Sequence, residues 1–104
     1  MSNLILERIR EKGYEKFGRE VYQKALDQKE RELQLAELLA ERRNQMNINQ
    51  KDLAIFLDTS QQQISKYEKA ESLPKLEVLL KILDKLNLEM VVVDRENKKE
   101  LLHI

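Results

Sequence analysis

The stretch "NINQKDLAIFLDTSQQQISKYEKAESLP", from Asn47 to Pro74, is punctuated too often for one helix and too regularly for a loop. Asn47 follows a helix-rich run in "RRNQMNINQ", at a place where a left-handed stop calls for glycine or, failing that, asparagine. Asn49 is placed to cap a new helix, with Asp52 three residues on. Asp58 and Thr59 break that helix, and Ser60 with Gln63 has the S-x-x-Q form of a capping box. Two short helices joined by a tight turn follow, Gln50 to Leu57 and Gln61 to Lys69. Leu73 before Pro74 ends helical continuation, and Pro74 suits the first turn of another helix, Lys75 to about Leu86.

The rest of the chain divides around this core. Residues 1–32 form a charge-dense helical arm in which Leu6, Ile9, Tyr14, Phe17, Val21 and Ala25 fall near helical spacing, interrupted at Gly13 and Gly18. Residues 33–87 are denser in apolar side chains, with Leu35, Leu38, Leu39 and Met46 expected on one helix face and Leu53, Ala54 and Leu57 on another. From Leu88 to Ile104 the period changes. "LEMVVVD" reads as a strand and "KELLHI" as a second strand or tail. A lone strand leaves N–H and C=O groups unpaired, so Met90 to Asp94 is expected to find a partner in a second subunit, in "KELLHI" or in another protein, with dimer pairing preferred.

Composition narrows the chemistry. The 104 residues include no cysteine and one histidine, which removes disulfide frameworks, zinc clusters and Cys or His nucleophile constellations. No enzyme activity, catalytic residue, metal or cofactor is expected. Lys plus Arg equal Asp plus Glu at 19 each, so any nucleic-acid binding must come from one face and not from bulk charge. "MSNLILERIR" is charged too early for a signal peptide, and no apolar run approaches the roughly 18 residues that cross a bilayer, which predicts a cytoplasmic protein without a membrane partner. His103 reads as a solvent-facing side chain and not a ligand.

At 100° per residue, Gln62, Ser65 and Lys66 share an outward face with Gln61, while Ile64 and Tyr67 point inward. Gln63 lies between the faces and is assigned to the cap. A glutamine amide can pair twice with the N6 and N7 atoms of adenine, and residues near the start of a helix inserted in the major groove reach bases first. Taken alone, three glutamines are only a solvated helix start. The surrounding register gives them a reading role.

"INQKDLAIFLDTSQQQISKYEKAESLPKLEVLLKIL" resembles the lambda-repressor-like, XRE-type helix-turn-helix family over about Leu33 to Leu88. The resemblance implies an all-α, five-helix bundle, here with the N-terminal arm and a short C-terminal β-strand. It implies DNA contacts from Gln50 and Lys51 at the start of the first motif helix, with Gln50 on a phosphate, and from Gln61, Gln62, Ser65 and Lys66 on the second. It further implies a structural ion pair between Arg43 and Glu68. The chain departs from the family at Asp58 and Ala70, where glycine is usual; Asp tolerates a left-handed turn, whereas Ala70 leaves the path of the next loop open.

The valine-rich ending is similar to antitoxins of the HigA and HipB kind. That resemblance implies a homodimeric repressor of bacterial, phage or plasmid origin that binds a palindromic operator, regulates its own operon and neutralises a RelE/HigB-like protein toxin. The arm stripe of Leu6, Ile9, Tyr14, Phe17 and Val21 is the expected toxin contact, with folding back onto the protein's own core as its rival. A stand-alone XRE repressor and an interaction module without DNA binding are the alternative functions. A neighbouring gene for a small basic toxin favours the antitoxin, and absence of salt-dependent DNA binding favours the interaction module.

Overall fold

A computed structural model describes residues 18–104. That span holds four helices, α1 Arg19–Gln45, α2 Gln50–Phe56, α3 Gln61–Glu68 and α4 Leu76–Lys85, followed by a hairpin of β1 Val91–Val93 and β2 Glu100–His103. Five helices besides the arm are expected from the resemblance; the described residues have four, because the chain forms a hairpin after α4 where a fifth would follow, and α1 runs unbroken across residues 32 and 33 from arm into core. Its 27 residues contain neither Gly nor Pro and are mostly Glu, Gln, Arg, Lys, Leu and Ala, which are good helix formers. Gly18 begins it at φ 74°, ψ 164°, a region essentially restricted to glycine. Leu6, Ile9, Tyr14 and Phe17 lie outside the described residues.

The buried side of α1 is not the one that its leucines suggest. Leu33, Ala36, Leu39 and Arg43 face the core, whereas Leu35 and Leu38 are 38% and 53% exposed and Met46 is half-buried. Apolar residues occupy more than one side of this helix, so spacing alone does not select a face. Packing does: Leu33 and Ala36 lie on Ala70, and Leu39 packs with Ile82, Leu83 and Leu86. A third cluster, Leu53, Ala54 and Ile64, fastens α2 to α3. Burying a side chain such as Ile64, 1% exposed, contributes about 1.5–3 kcal/mol.

All four helices stop in the same way. Asn47, Asp58, Ala70 and Asn87 each adopt a left-handed conformation, φ 54–58°, one residue past the cap. In each case the next amide donates back to the carbonyl at the start of the last turn: Ile48 to Arg43 at 3.1 Å, Thr59 to Ala54 at 2.9 Å, Glu71 to Lys66 at 3.0 Å and Leu88 to Leu83 at 2.8 Å. These are Schellman stops built without glycine. Basic side chains of α1 close two of them further. Lys29 Nζ donates to Ala70 O at 2.7 Å and Arg42 Nε to Leu86 O at 3.0 Å, each placing positive charge at the negative end of a helix. Pro74 sits one residue before the α4 cap, Lys75, and not inside the first turn as the sequence suggests.

The valine strand is paired along one edge by "KELLHI" of its own chain, one of the partners expected from sequence. β1 and β2 are antiparallel, with Val91 opposite His103, Val92 opposite Leu102 and Val93 opposite Glu100, leaving Leu101 as an extra residue in a bulge. Met90 and Ile104 exchange main-chain bonds of 2.8 and 2.6 Å. The tight turn makes this local pairing available: Asp94 Oδ1 accepts from the amides of Glu96 and Asn97 at 2.9 and 3.2 Å, and Lys98 takes φ 61°. Leu88 and Met90 pack against the Leu39 cluster and join the hairpin to the helices. Among the described residues, no helix is long and apolar enough to cross a membrane.

Candidate nucleic-acid interface

Local capping fixes where α2 and α3 begin. Asn49 is extended, and its side chain accepts from the amide of Asp52 at 2.8 Å; Ser60 does the same for Gln63 at 3.1 Å. Both bonds satisfy an amide that has no partner within the helix. Asp58 in its left-handed turn reverses the chain between the two helices. Only half of the capping box forms. The Gln63 amide reaches Ser60, but the Gln63 side chain turns away and its Nε2 donates to Ser72 Oγ at 3.1 Å, holding the loop between α3 and α4.

The same region is locked from below. Arg43 is 8% exposed and uses all three of its guanidinium nitrogens: Nε to Glu68 Oε2 at 2.6 Å, Nη2 to Glu68 Oε1 at 3.0 Å and Nη1 to Ile48 O at 2.8 Å. Gln50 Nε2 donates to Glu68 Oε1 at 2.9 Å. One carboxylate therefore gathers α1, α2 and α3, and a charged hydrogen-bonded pair of this fork geometry is both strong and directional. Gln50, expected on a phosphate, has one amide hydrogen committed to Glu68 and a second still available.

Above this lock, Gln61, Gln62 and Lys66 are exposed and Ser65 is half-buried, while Ile64 is buried and Tyr67 half-buried on the opposite side. Lys51 is exposed on the first turn of α2. Gln61, Gln62, Ser65 and Lys66 thus lie on α3, and Gln50 and Lys51 on the first turn of α2, which Gln50 ties to Glu68 in the last turn of α3. Val21 lies in the first turn of α1 and is 60% exposed, with Tyr22 and Leu26 buried on the adjoining side. His103 is half-exposed between two carboxylates, Nε2 2.8 Å from Glu100 and Nδ1 3.4 Å from Glu89.

The residues that sequence reasoning missed are Ser72, Lys29 and Arg42. Ser72 carries the weak signal of a polar residue just before Leu-Pro in an otherwise charged loop; the other two carry none. The α2–α3 arrangement can present a short helix and two cationic side chains to a grooved polyanion.

Residues 39–93 match the helix-turn-helix family, a little over half of the chain and the whole of α2, α3, α4 and β1. No curated protein matches it. The chain is therefore a member of the helix-turn-helix family of the XRE, lambda-repressor-like type, a family of DNA-binding regulators.

Proposed function

We propose that the chain is a sequence-specific transcriptional repressor that binds a near-palindromic operator as a homodimer and serves as the antitoxin of a type II toxin pair, regulating its own operon. The observation that carries the DNA half of this reading is the exposed pair Gln61 and Gln62 at the start of an α3 whose orientation is fixed by Arg43, Glu68 and Gln50. Gln61 and Gln62 read base edges, Ser65 and Lys66 take bases or backbone, and Gln50 and Lys51 take phosphates. Two copies are needed because one such helix contacts only a few base pairs; twofold placement of the helices about 34 Å apart gives two half-sites.

The toxin half rests on α1. Its N-terminal part leaves Val21 and Ala25 exposed beside an otherwise charged surface, which suits an apolar contact rimmed by Arg and Glu. The partner in this reading is a RelE/HigB-like protein held by the arm stripe that Val21 ends.

Selection of bound duplexes from a random pool tests the first half. The unaltered chain should enrich a twofold-symmetric sequence, and Gln62→Ala should relax the preference at one position in each half-site at a cost of about 1–3 kcal/mol per site. Enrichment of no sequence at all sinks the operator reading.

A further inference from the structure

The family match begins at residue 39, whereas α1 begins at Arg19, and three side chains from the unmatched turns of this helix converge on Ala70. Lys29 Nζ donates to its carbonyl at 2.7 Å, and Leu33 and Ala36 pack against its methyl. Ala70 is where α3 stops. Its φ of 56° is one that residues other than glycine rarely adopt, so the neighbours must hold it there. The cluster of Leu53, Ala54 and Ile64, with the bond from Gln50 to Glu68, joins α2 and α3 into one unit. Apolar contacts resist separation of that unit from α1 but not its rotation, because they have no preferred direction. Direction comes from hydrogen bonds. Arg43 supplies them at Glu68, and Lys29 supplies one at Ala70. The two donors stand on either side of Leu33 and Ala36 along α1, about 21 Å apart at 1.5 Å per residue. One such tie leaves a pivot; two fix an angle.

We propose that Lys29 is a positioning residue for DNA recognition: from outside the family-matched span it fixes the angle between α1 and the α2–α3 unit, and so the place at which Gln61 and Gln62 are presented. Gln61 opens α3 and lies about 10 Å from Glu68 along the helix. A turn of about 10° about the Arg43 and Glu68 pair displaces it by about 2 Å, beyond the roughly 0.5 Å within which a binding constellation must be held. Lys29 does this without touching DNA, since its Nζ is committed to the Ala70 carbonyl and its side chain is half-buried. The inference rests on the reading in which α3 enters the groove.

Lys29→Met keeps the apolar stem and removes the donor. The probe is the duplex that the unaltered chain enriches from a random pool, titrated at a temperature where both proteins are folded. Lys29→Met should bind it roughly fivefold more weakly, within what one charge-assisted bond can supply, and the slope of log affinity against log salt should not change. Lys29→Arg should restore binding. Unaltered affinity beside a lower melting temperature makes the bond merely structural and overturns the proposal. A slope flattened by about one overturns it too, because Lys29 then meets a phosphate itself. Amide exchange tests the brace without DNA: the Glu71 amide, held to Lys66 O at 3.0 Å, should exchange several-fold faster in Lys29→Met. Faster exchange in a chain that enriches no duplex leaves the brace intact but removes base reading, and with it this role for Lys29. Unchanged exchange in a chain that does enrich one leaves base reading standing and removes Lys29 from it.

Discussion

Arg43 and Glu68 meet in a two-pronged contact, 2.6 and 3.0 Å, that ties the last turn of α1 to the last turn of α3, with both side chains only 10% exposed. Removing one member leaves the other buried without its counter-charge, which costs about 3–5 kcal/mol. Glu68→Ala should therefore lower the thermal midpoint by more than roughly 10 °C, at about 4–8 °C per kcal/mol for a domain near this size. Replacing both residues with apolar side chains of similar volume should recover much of that stability. A near-normal midpoint for Glu68→Ala means that the carboxylate is hydrated.

Asp58 and Ala70 share a left-handed backbone but not an environment. Asp58 is exposed, so Asp58→Gly removes steric strain and should raise stability by up to about 1 kcal/mol. Ala70 is 2% exposed with its methyl against Leu33 and Ala36, and there the relief is offset by removal of a buried carbon, worth about 0.8 kcal/mol. Ala70→Gly should be close to neutral in chemical denaturation. A clear rise in stability at Ala70 shows that strain outweighs the packing.

The bond from Gln63 to Ser72 makes an unusual claim about three adjacent glutamines, because it takes the third out of DNA contact. Gln63→Ala and Ser72→Ala should each cost about 1 kcal/mol, and the double substitution should cost no more than either alone. Simple addition of the two effects argues against the bond.

Lys66 is exposed on α3 and separates charge from sequence reading. Lys66→Ala should weaken all duplexes evenly and flatten the plot of log affinity against log salt by about one for each phosphate left unneutralised. A change in sequence preference at constant salt slope instead makes Lys66 a base reader.

Val21 offers a cleaner probe of the proposed toxin contact than truncation, since a chain beginning at Leu33 would cut through α1 and delete the Lys29 bond to Ala70. Val21→Asp should leave melting and operator binding unchanged and reduce toxin capture at least tenfold, equivalent to about 1.4 kcal/mol. Unchanged capture, measured by titration calorimetry, removes Val21 from that surface.

Local chemistry is readable from sequence wherever it acts over three or four residues. The caps at Asn49 and Ser60 and the stops at Asn47 and Asp58 depend on side chains beside the amide or dihedral concerned. Bonds that bridge distant segments give no such sign. Lys29 to Ala70 and Arg42 to Leu86 join residues more than forty apart, and either lysine or arginine alone reads as a solvated charge. The family resemblance, not the surrounding sequence, supplies the pairing of Arg43 with Glu68. Leucines on several sides of α1 leave a choice that only packing resolves, Leu33 over Leu35, and the valines have several available partners, of which "KELLHI" takes one edge.

With Gln63 turned toward Ser72, the reading vocabulary of α3 is small. In the proposed reading, two amides per half-site would specify on the order of two base pairs, and a twofold operator about four, a word that chance repeats every few hundred base pairs. Even a compact genome offers about a million competing positions. Hydrogen-bonded letters of this number carry too little information to name one locus. In the proposed reading the remainder of the address falls to Ser65 and Lys66 and to the spacing of the half-sites and how readily the DNA between them bends, at positions that no side chain touches.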